Sequence, residues 1–173
     1  MTKFKIENTT HPGIYIVKRL LFNDDRGALE KYYQKDIFDL YGFIASDIYT
    51  TVSNKNVVRG MHHQVGVHSQ AKLITCTSGS FYDISIDLRV DSELYGKTYY
   101  QLLRGGDHKS LLIMPGFSHG TYALEDHSVM LSICSGPYLP EFEQGFNMKS
   151  LDLPFYNDQA IVSKKDLSYP NTI

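Results

Sequence analysis

The chain has no tryptophan, two cysteines and six prolines among its 173 residues, and each scarcity excludes something. Cys76 and Cys134 form no C-x-x-C pair, so nothing in the cysteines argues for zinc. Each lies in an apolar-rich segment, where two buried free thiols are expected in place of a disulfide or a reactive thiol. Long apolar runs are missing too. The longest span only a few residues, far below the roughly 20 that a membrane-crossing helix requires, so no membrane association is expected. Charge of one sign is also lacking: 17 Lys and Arg stand against 19 Asp and Glu, a net charge of −2. Without a dense basic block, a nucleic-acid partner is not expected. Residues 1–13 carry neither an apolar stretch nor a small-residue cleavage site, and the expected location is cytoplasmic. The length suits one domain, residues 1–173, with a real core.

Aromatics of the strand-forming kind are abundant, with 13 Tyr and nine Phe. Strict alternation is the dominant pattern. In residues 80–89, Tyr82, Ile84, Ile86 and Leu88 fall on one face, and Phe81, Asp83, Ser85 and Asp87 on the other, which is the period of a strand. Further strands are expected at 14–18, 43–51, 56–63, 71–77, 98–104, 110–114, 120–124 and 129–134. Turn-forming runs separate many of them, among them Asp24-Asp25-Arg26-Gly27, Ser78-Gly79 and Met114-Pro115-Gly116. A short helix is expected at 35–41, and beyond Pro137 the pattern weakens into a tail wrapping the body. Many short strands with regular turns predict an all-β sandwich or barrel.

Seven histidines in such a fold raise the question of a metal. Barrel metal sites of this type usually set two histidines at i and i+2 on one strand face, with a carboxylate and a further histidine. His62 and His63 are adjacent, and on a regular strand they point to opposite faces. No metal and no cofactor are expected.

His62 instead reads as a base. It lies in Val57-Val58-Arg59-Gly60-Met61-His62-His63-Gln64, with Lys72 ten residues on. An imidazole takes a proton near neutral pH, and a nearby cation can hold the negative charge left on the substrate. A guanidinium grips phosphate through its planar fork. Together they suggest proton abstraction beside a carbonyl in a phosphate-bearing substrate.

Eight stretches carry a family likeness in order and spacing over residues 12–170. They are Asp25-Arg26-Gly27, the run ending in His62-His63-Gln64, Ala71-Lys72-Leu73, and Tyr82-Asp83-Ile84-Ser85-Ile86-Asp87-Leu88-Arg89. Then come Ser92 through Gly96-Lys97, Pro115-Gly116-Phe117-Ser118-His119-Gly120, Pro137-Tyr138 and Ser163-Lys164-Lys165-Asp166. The chain thereby resembles the dTDP-4-dehydrorhamnose 3,5-epimerase family, a metal-free branch of the cupin-like jelly rolls. The resemblance implies a homodimer acting on a nucleotide-linked 4-keto-6-deoxy sugar, with deprotonation at C3 and C5. It implies His62 as the base, Asp166 as its carboxylate partner and Lys72 holding the enolate oxygen. Arg59 and Arg26 would bind the diphosphate, His119 would line the sugar pocket, and Tyr138 would pack on the nucleotide base. Gln64 and Ser132 complete the expected substrate-binding set.

Two departures stand out. The family usually carries a proton-delivering tyrosine where this chain has Ser132 in Val129-Met130-Leu131-Ser132-Ile133-Cys134. A serine hydroxyl is far less acidic than a phenol, whose pKa is about 10. Tyr49, where the family more often has asparagine, is the preferred replacement. A water held by Ser132, or inversion of one centre only, are the other resolutions. After Asp25-Arg26-Gly27 the family prefers phenylalanine and then glutamate where this chain has Leu29 and Lys31, which opens the nucleotide to GDP or CDP and the sugar to a heptose. The expected activity is epimerisation at C3, C5 or both. The alternatives are a non-catalytic sugar-nucleotide binding protein and a related 3,4-ketoisomerase.

Overall fold

Alternating burial builds two stacked, mainly antiparallel sheets from twelve of the fourteen short strands among the described residues. The computed structural model describes residues 4–171. In chain order the strands are β1 (Phe4–Asn8), β2 (Ile14–Arg19), β3 (Leu21–Asp24), β4 (Gly27–Glu30), β5 (Asp47–Ser53), β6 (Val57–Gln64) and β7 (Lys72–Ser78). They continue as β8 (Ser80–Asp87), β9 (Thr98–Arg104), β10 (Lys109–Ile113), β11 (Phe117–Ala123), β12 (Ser128–Cys134), β13 (Glu143–Gly145) and β14 (Ile161–Val162). Two short helices, α1 (Lys35–Phe38) and α2 (Lys164–Ser168), complete the regular structure beside a few 3-10 turns. One sheet runs β1-β2-β10-β7-β12-β5; the other runs β13-β6-β11-β8-β9, with β14 added parallel to β6. This is the expected all-β jelly-roll architecture, with strand β3 and strand β4 forming a separate hairpin.

Both sheets are covered on both faces, so neighbouring residues of one strand enter different cores. On β10, Leu111 and Ile113 join the core between the sheets, while Leu112 joins a second core on the outer face of its sheet. Residues 32–45 and β1 cover that outer face with Phe38, Phe43 and Phe4. This explains why the expected strand at 43–51 begins only at Asp47: Phe43, fully buried, leaves the strand path to fill the outer core. On β8, Ile84 and Ile86 pack outward under Met148 and Leu153 of the C-terminal tail. The inward face of β8 carries Asp83, Ser85 and Asp87, all at 0 % exposure. The space between the sheets is thus apolar at one end and polar at the other, and the polar end holds the candidate site.

Strand β6 departs from regular geometry where the site needs it. Its register with β11 pairs His62 with His119 but Arg59 with Thr121, so β6 carries one residue more than its partner. Such a bulge shifts the phase of the side chains beyond it. Gly60 sits in it at φ 108°, and a Cβ there would lie 2.6 Å from the His119 carbonyl oxygen. Only glycine meets both conditions without strain.

Candidate active site

Three adjoining cavities of about 220, 370 and 480 Å3 open between the sheets, and Lys72 lines all three. The largest is lined by Tyr49, Arg59, His62, Lys72, His119 and Asp166 among others. Six residues scattered from β5 to α2 therefore share one chamber.

His62 is the best-defined group in it. Its Nε2 lies 2.7 Å from Asp166 Oδ1, a contact spanning 104 residues of sequence. A carboxylate can only accept, so Nε2 carries the proton and Nδ1 is the nitrogen available as acceptor. Asp166 also accepts the Gly60 N–H at 3.3 Å. Burial alone would raise the Asp166 carboxyl, but these bonds outweigh it and hold its pKa below the usual carboxylate range. The N-cap of α2 fixes the approach, since the Asp166 N–H donates to Ser163 Oγ at 3.0 Å.

His119, paired with His62 in the β6–β11 register, uses its own Nε2 on Asp83 Oδ2 at 2.7 Å. Asp83 Oδ1 and Ser85 Oγ nearby on β8 have no hydrogen-bond partner within the described residues. His63 is absent from the largest cavity but lines the other two, the middle one together with His62, so adjacency on the strand does not keep it out of the site. It stacks on Phe146 at 5.6 Å and meets Ser118 Oγ at 3.2 Å. Burial, with Lys72 adding, pushes its pKa down to about 4. Among the described residues no three His, Cys, Asp or Glu side chains come together in a metal-holding group.

The opposite sheet supplies Lys72 and Tyr49. Burial lowers the Lys72 pKa, opposed by the charges of Cys134, Glu143 and Asp83 around it. A less strongly hydrated ammonium is a better partner for an oxyanion. Tyr49 stands directly across from Ser132 in the β5–β12 register. Burial pushes its phenol up to about 12, so it stays protonated at neutral pH. Ser132 itself is at 0 % exposure, and its hydroxyl bears on the Tyr49 phenol, lowering that pKa against the effect of burial. Serine at this position leaves the phenol of the neighbouring strand to face the chamber.

Arg59 is half committed. Its Nε donates to Ser53 Oγ at 2.9 Å and one terminal nitrogen to the Val52 carbonyl at 3.0 Å, leaving N–H groups free to take an anion. Tyr138, half-exposed, lines the middle cavity with Gln64. Gln64, however, has its amide engaged in the fold: it donates to the His68 and Pro137 carbonyls and accepts the Leu139 N–H. It lines two of the three cavities with both amide donors engaged in the fold. Arg26 does not reach the chamber of its own chain. It lies at the tip of the β3–β4 hairpin, 89 % exposed and paired with Asp24 at 2.5 Å.

Three residues of the site escaped the sequence reading. Cys134 and Glu143 line the middle cavity, and Tyr169 meets the His62 ring edge-on at 5.7 Å. Cys76 and Cys134 are both free, buried thiols as expected; Cys76 packs in the core between the sheets, and Cys134 also lines the middle cavity. For Glu143 and Tyr169 the sequence held no signal beyond a carboxylate and a phenol in a tail of weak pattern.

The comparisons with known proteins agree with this geometry. The sequence pattern of the dTDP-4-dehydrorhamnose 3,5-epimerase family matches residues 8–172. The dTDP-4-dehydrorhamnose 3,5-epimerase of Escherichia coli (strain K12) is 33 % identical over 135 residues, covering 76 % of this chain and 73 % of that one. The crystal structure of the enzyme of that name from Elizabethkingia anophelis superposes with a TM-score of 0.90 at 30 % identity, covering 98 % of this chain and 96 % of that one. The one from Bacillus anthracis, with TDP and PPi bound, gives a TM-score of 0.88 at 29 % identity, covering 96 % of this chain and 98 % of that one. The protein is an isomerase by kinship and by fold, and the chain belongs to the dTDP-4-dehydrorhamnose 3,5-epimerase family.

Proposed function

We propose that this protein epimerises a nucleotide-linked 4-keto-6-deoxy sugar at C3, C5 or both. The observation that carries the reading is a base and a protonated phenol facing one chamber from opposite sheets, with a buried lysine beside them. His62 Nδ1 takes the proton from a carbon next to the C4 ketone, the electron pair moves onto the ketone oxygen, and Lys72 holds the enolate so formed. Tyr49 returns a proton from the other face, which inverts the centre. Arg59 takes the diphosphate, Tyr138 the base, and His119 lines the sugar.

Relatives support dTDP as the nucleotide: a Legionella pneumophila structure of this type holds dTDP-4-keto-L-rhamnose, and it matches with a TM-score of 0.88 at 26 % identity. Leu29 and Lys31 on and beside β4 depart from the family's base-contacting pair, so GDP- and CDP-linked sugars, heptoses included, belong in the substrate screen. Arg26 enters this scheme through dimerisation. Its hairpin is anchored by the Arg19–Glu30 ion pair at 2.7 Å and exposes Leu21, Phe22 and Leu29. A second copy covering that surface would receive Arg26 at its own diphosphate site. Sedimentation should give a dimer, and Arg26→Ala should raise KM for the sugar nucleotide more than it lowers kcat.

The reading is tested by NMR of the product. Conversion of dTDP-, GDP- or CDP-4-keto-6-deoxyglucose into a C3 or C5 epimer supports it and names the nucleotide. Tight binding of all three without conversion would favour a binding protein.

A further inference from the structure

The C-terminal helix that delivers Asp166 is too short to hold itself in place. Helix α2 has five residues, and isolated helices of that length are not stable in water. Yet its Asp166 is 4 % exposed and fixed on the His62 ring. Something outside the helix must keep it docked.

Strand β13 is placed to do so. Glu143 on β13 forms an ion pair with Lys165, the residue before Asp166. The same carboxylate accepts the Tyr169 hydroxyl at 2.7 Å, from the residue that follows the helix. One carboxylate therefore grips the helix on both sides of Asp166. Glu143 is itself nearly enclosed, its side chain 9 % exposed. Burial would raise its pKa, but Lys165 and Tyr169 hold it ionised. Two residues on, Gly145 takes the Tyr169 ring. A Cβ at Gly145 would lie 2.9 Å from that ring and 2.4 Å from the Met61 carbonyl oxygen. Gly145 is paired with His62 in the β6–β13 register, and the Tyr169 ring in turn meets the His62 imidazole edge-on. The Asn147 N–H adds a bond to the Pro170 carbonyl at 2.9 Å.

We propose that Glu143 and Gly145 form a socket for the C-terminal segment, and that Glu143 is a positioning residue that acts through Lys165 and Tyr169 to keep Asp166 on His62. Its kinetic consequence rests on the epimerase reading; its structural consequence does not. Loss of the socket lets α2 swing, His62 loses the partner that fixes its tautomer, and the base is misaligned although it is still present.

The test reads the His62 Nε2 proton directly. In the native protein a slowly exchanging, low-field imidazole proton is expected, assigned by its loss in His62→Asn and its shift in Asp166→Asn. Glu143→Gln should broaden it into solvent exchange and lower kcat by about tenfold or more, with KM changed less than kcat. Gly145→Ala, which displaces the Tyr169 ring without altering charge, should do the same. The charge swap Glu143→Lys with Lys165→Glu should recover the resonance in part. Circular dichroism confirms that each variant is folded. Native resonance and native kcat in folded Glu143→Gln would overturn the proposal. If no sugar is turned over by the native protein but Glu143→Gln still loses the resonance, the socket stands and the epimerase reading falls.

Discussion

Arg59 and His62 line the same chamber although they sit three positions apart on one strand. On a regular strand they would face opposite ways. The bulge at Gly60 and Met61 restores the phase, placing a guanidinium and an imidazole on one wall, with Met61 on the other side in the outer core.

Gly60→Ala should therefore damage the site as well as the fold. The new methyl would meet the His119 carbonyl oxygen and demand a positive φ that alanine resists. A loss of about 2 kcal/mol or more is expected in urea unfolding. Activity should fall further than the residual folded fraction accounts for, because Arg59 and His62 lose their common wall.

Tyr49 opposite Ser132 makes a second prediction. Tyr49→Phe should keep proton abstraction by His62 but slow inversion by about a hundredfold, the usual weight of a general acid. Deuterium would then enter the recovered substrate faster than epimer forms. Moving the phenol across the register, in a Tyr49→Ala, Ser132→Tyr double variant, should return part of the inversion rate. Equal rates in Tyr49→Phe and native protein would remove Tyr49 from the mechanism.

Asp166 links the catalytic pair to acid stability. Its folded pKa lies below the ordinary value, so its contribution is complete above the unfolded pKa near 4 and is lost as pH falls through the folded value. Asp166→Asn should cost about 1–3 kcal/mol at pH 7. The gap to native protein should close below pH 4. A gap that stayed constant with pH would mean that the charge on Asp166 contributes nothing.

His63 gives stability a separate pH window. Its pKa is held at about 4 against an ordinary 6.5, so the folded protein resists a proton that the unfolded chain accepts. Stability should fall as pH drops from 6.5 towards 4. His63→Phe, which keeps the stack on Phe146, should flatten the melting temperature across that window and leave the Asp166 window below it unchanged.

Much of this architecture was legible in the sequence, for a physical reason. Alternation along β8 is a local property of one strand, and the sequence alone puts Asp83, Ser85 and Asp87 on one face. Turn chemistry at Ser78-Gly79 and Met114-Pro115-Gly116 did the same for strand ends. What stayed hidden depends on contacts across the fold. Gly60 reads as one more strand residue until β11 is laid beside β6. Pairing of His62 with Asp166 came from the family resemblance, because 104 residues separate them. The Gln64 amide bonds to the backbones of His68, Pro137 and Leu139, two of them more than 70 residues away, which the pattern of β6 does not announce. Glu143 lies on a three-residue strand, too short to show a period.

Hydrogen exchange at the sugar tests the central claim most directly. The native protein and His62→Asn would be incubated in D2O with dTDP-, GDP- and CDP-linked 4-keto-6-deoxy sugars, and the mass of the sugar followed. Native protein should add one deuteron for a single inverted centre or two for both, and His62→Asn should add none above the uncatalysed rate. Deuterium uptake in His62→Asn at the native rate would contradict His62 as the base.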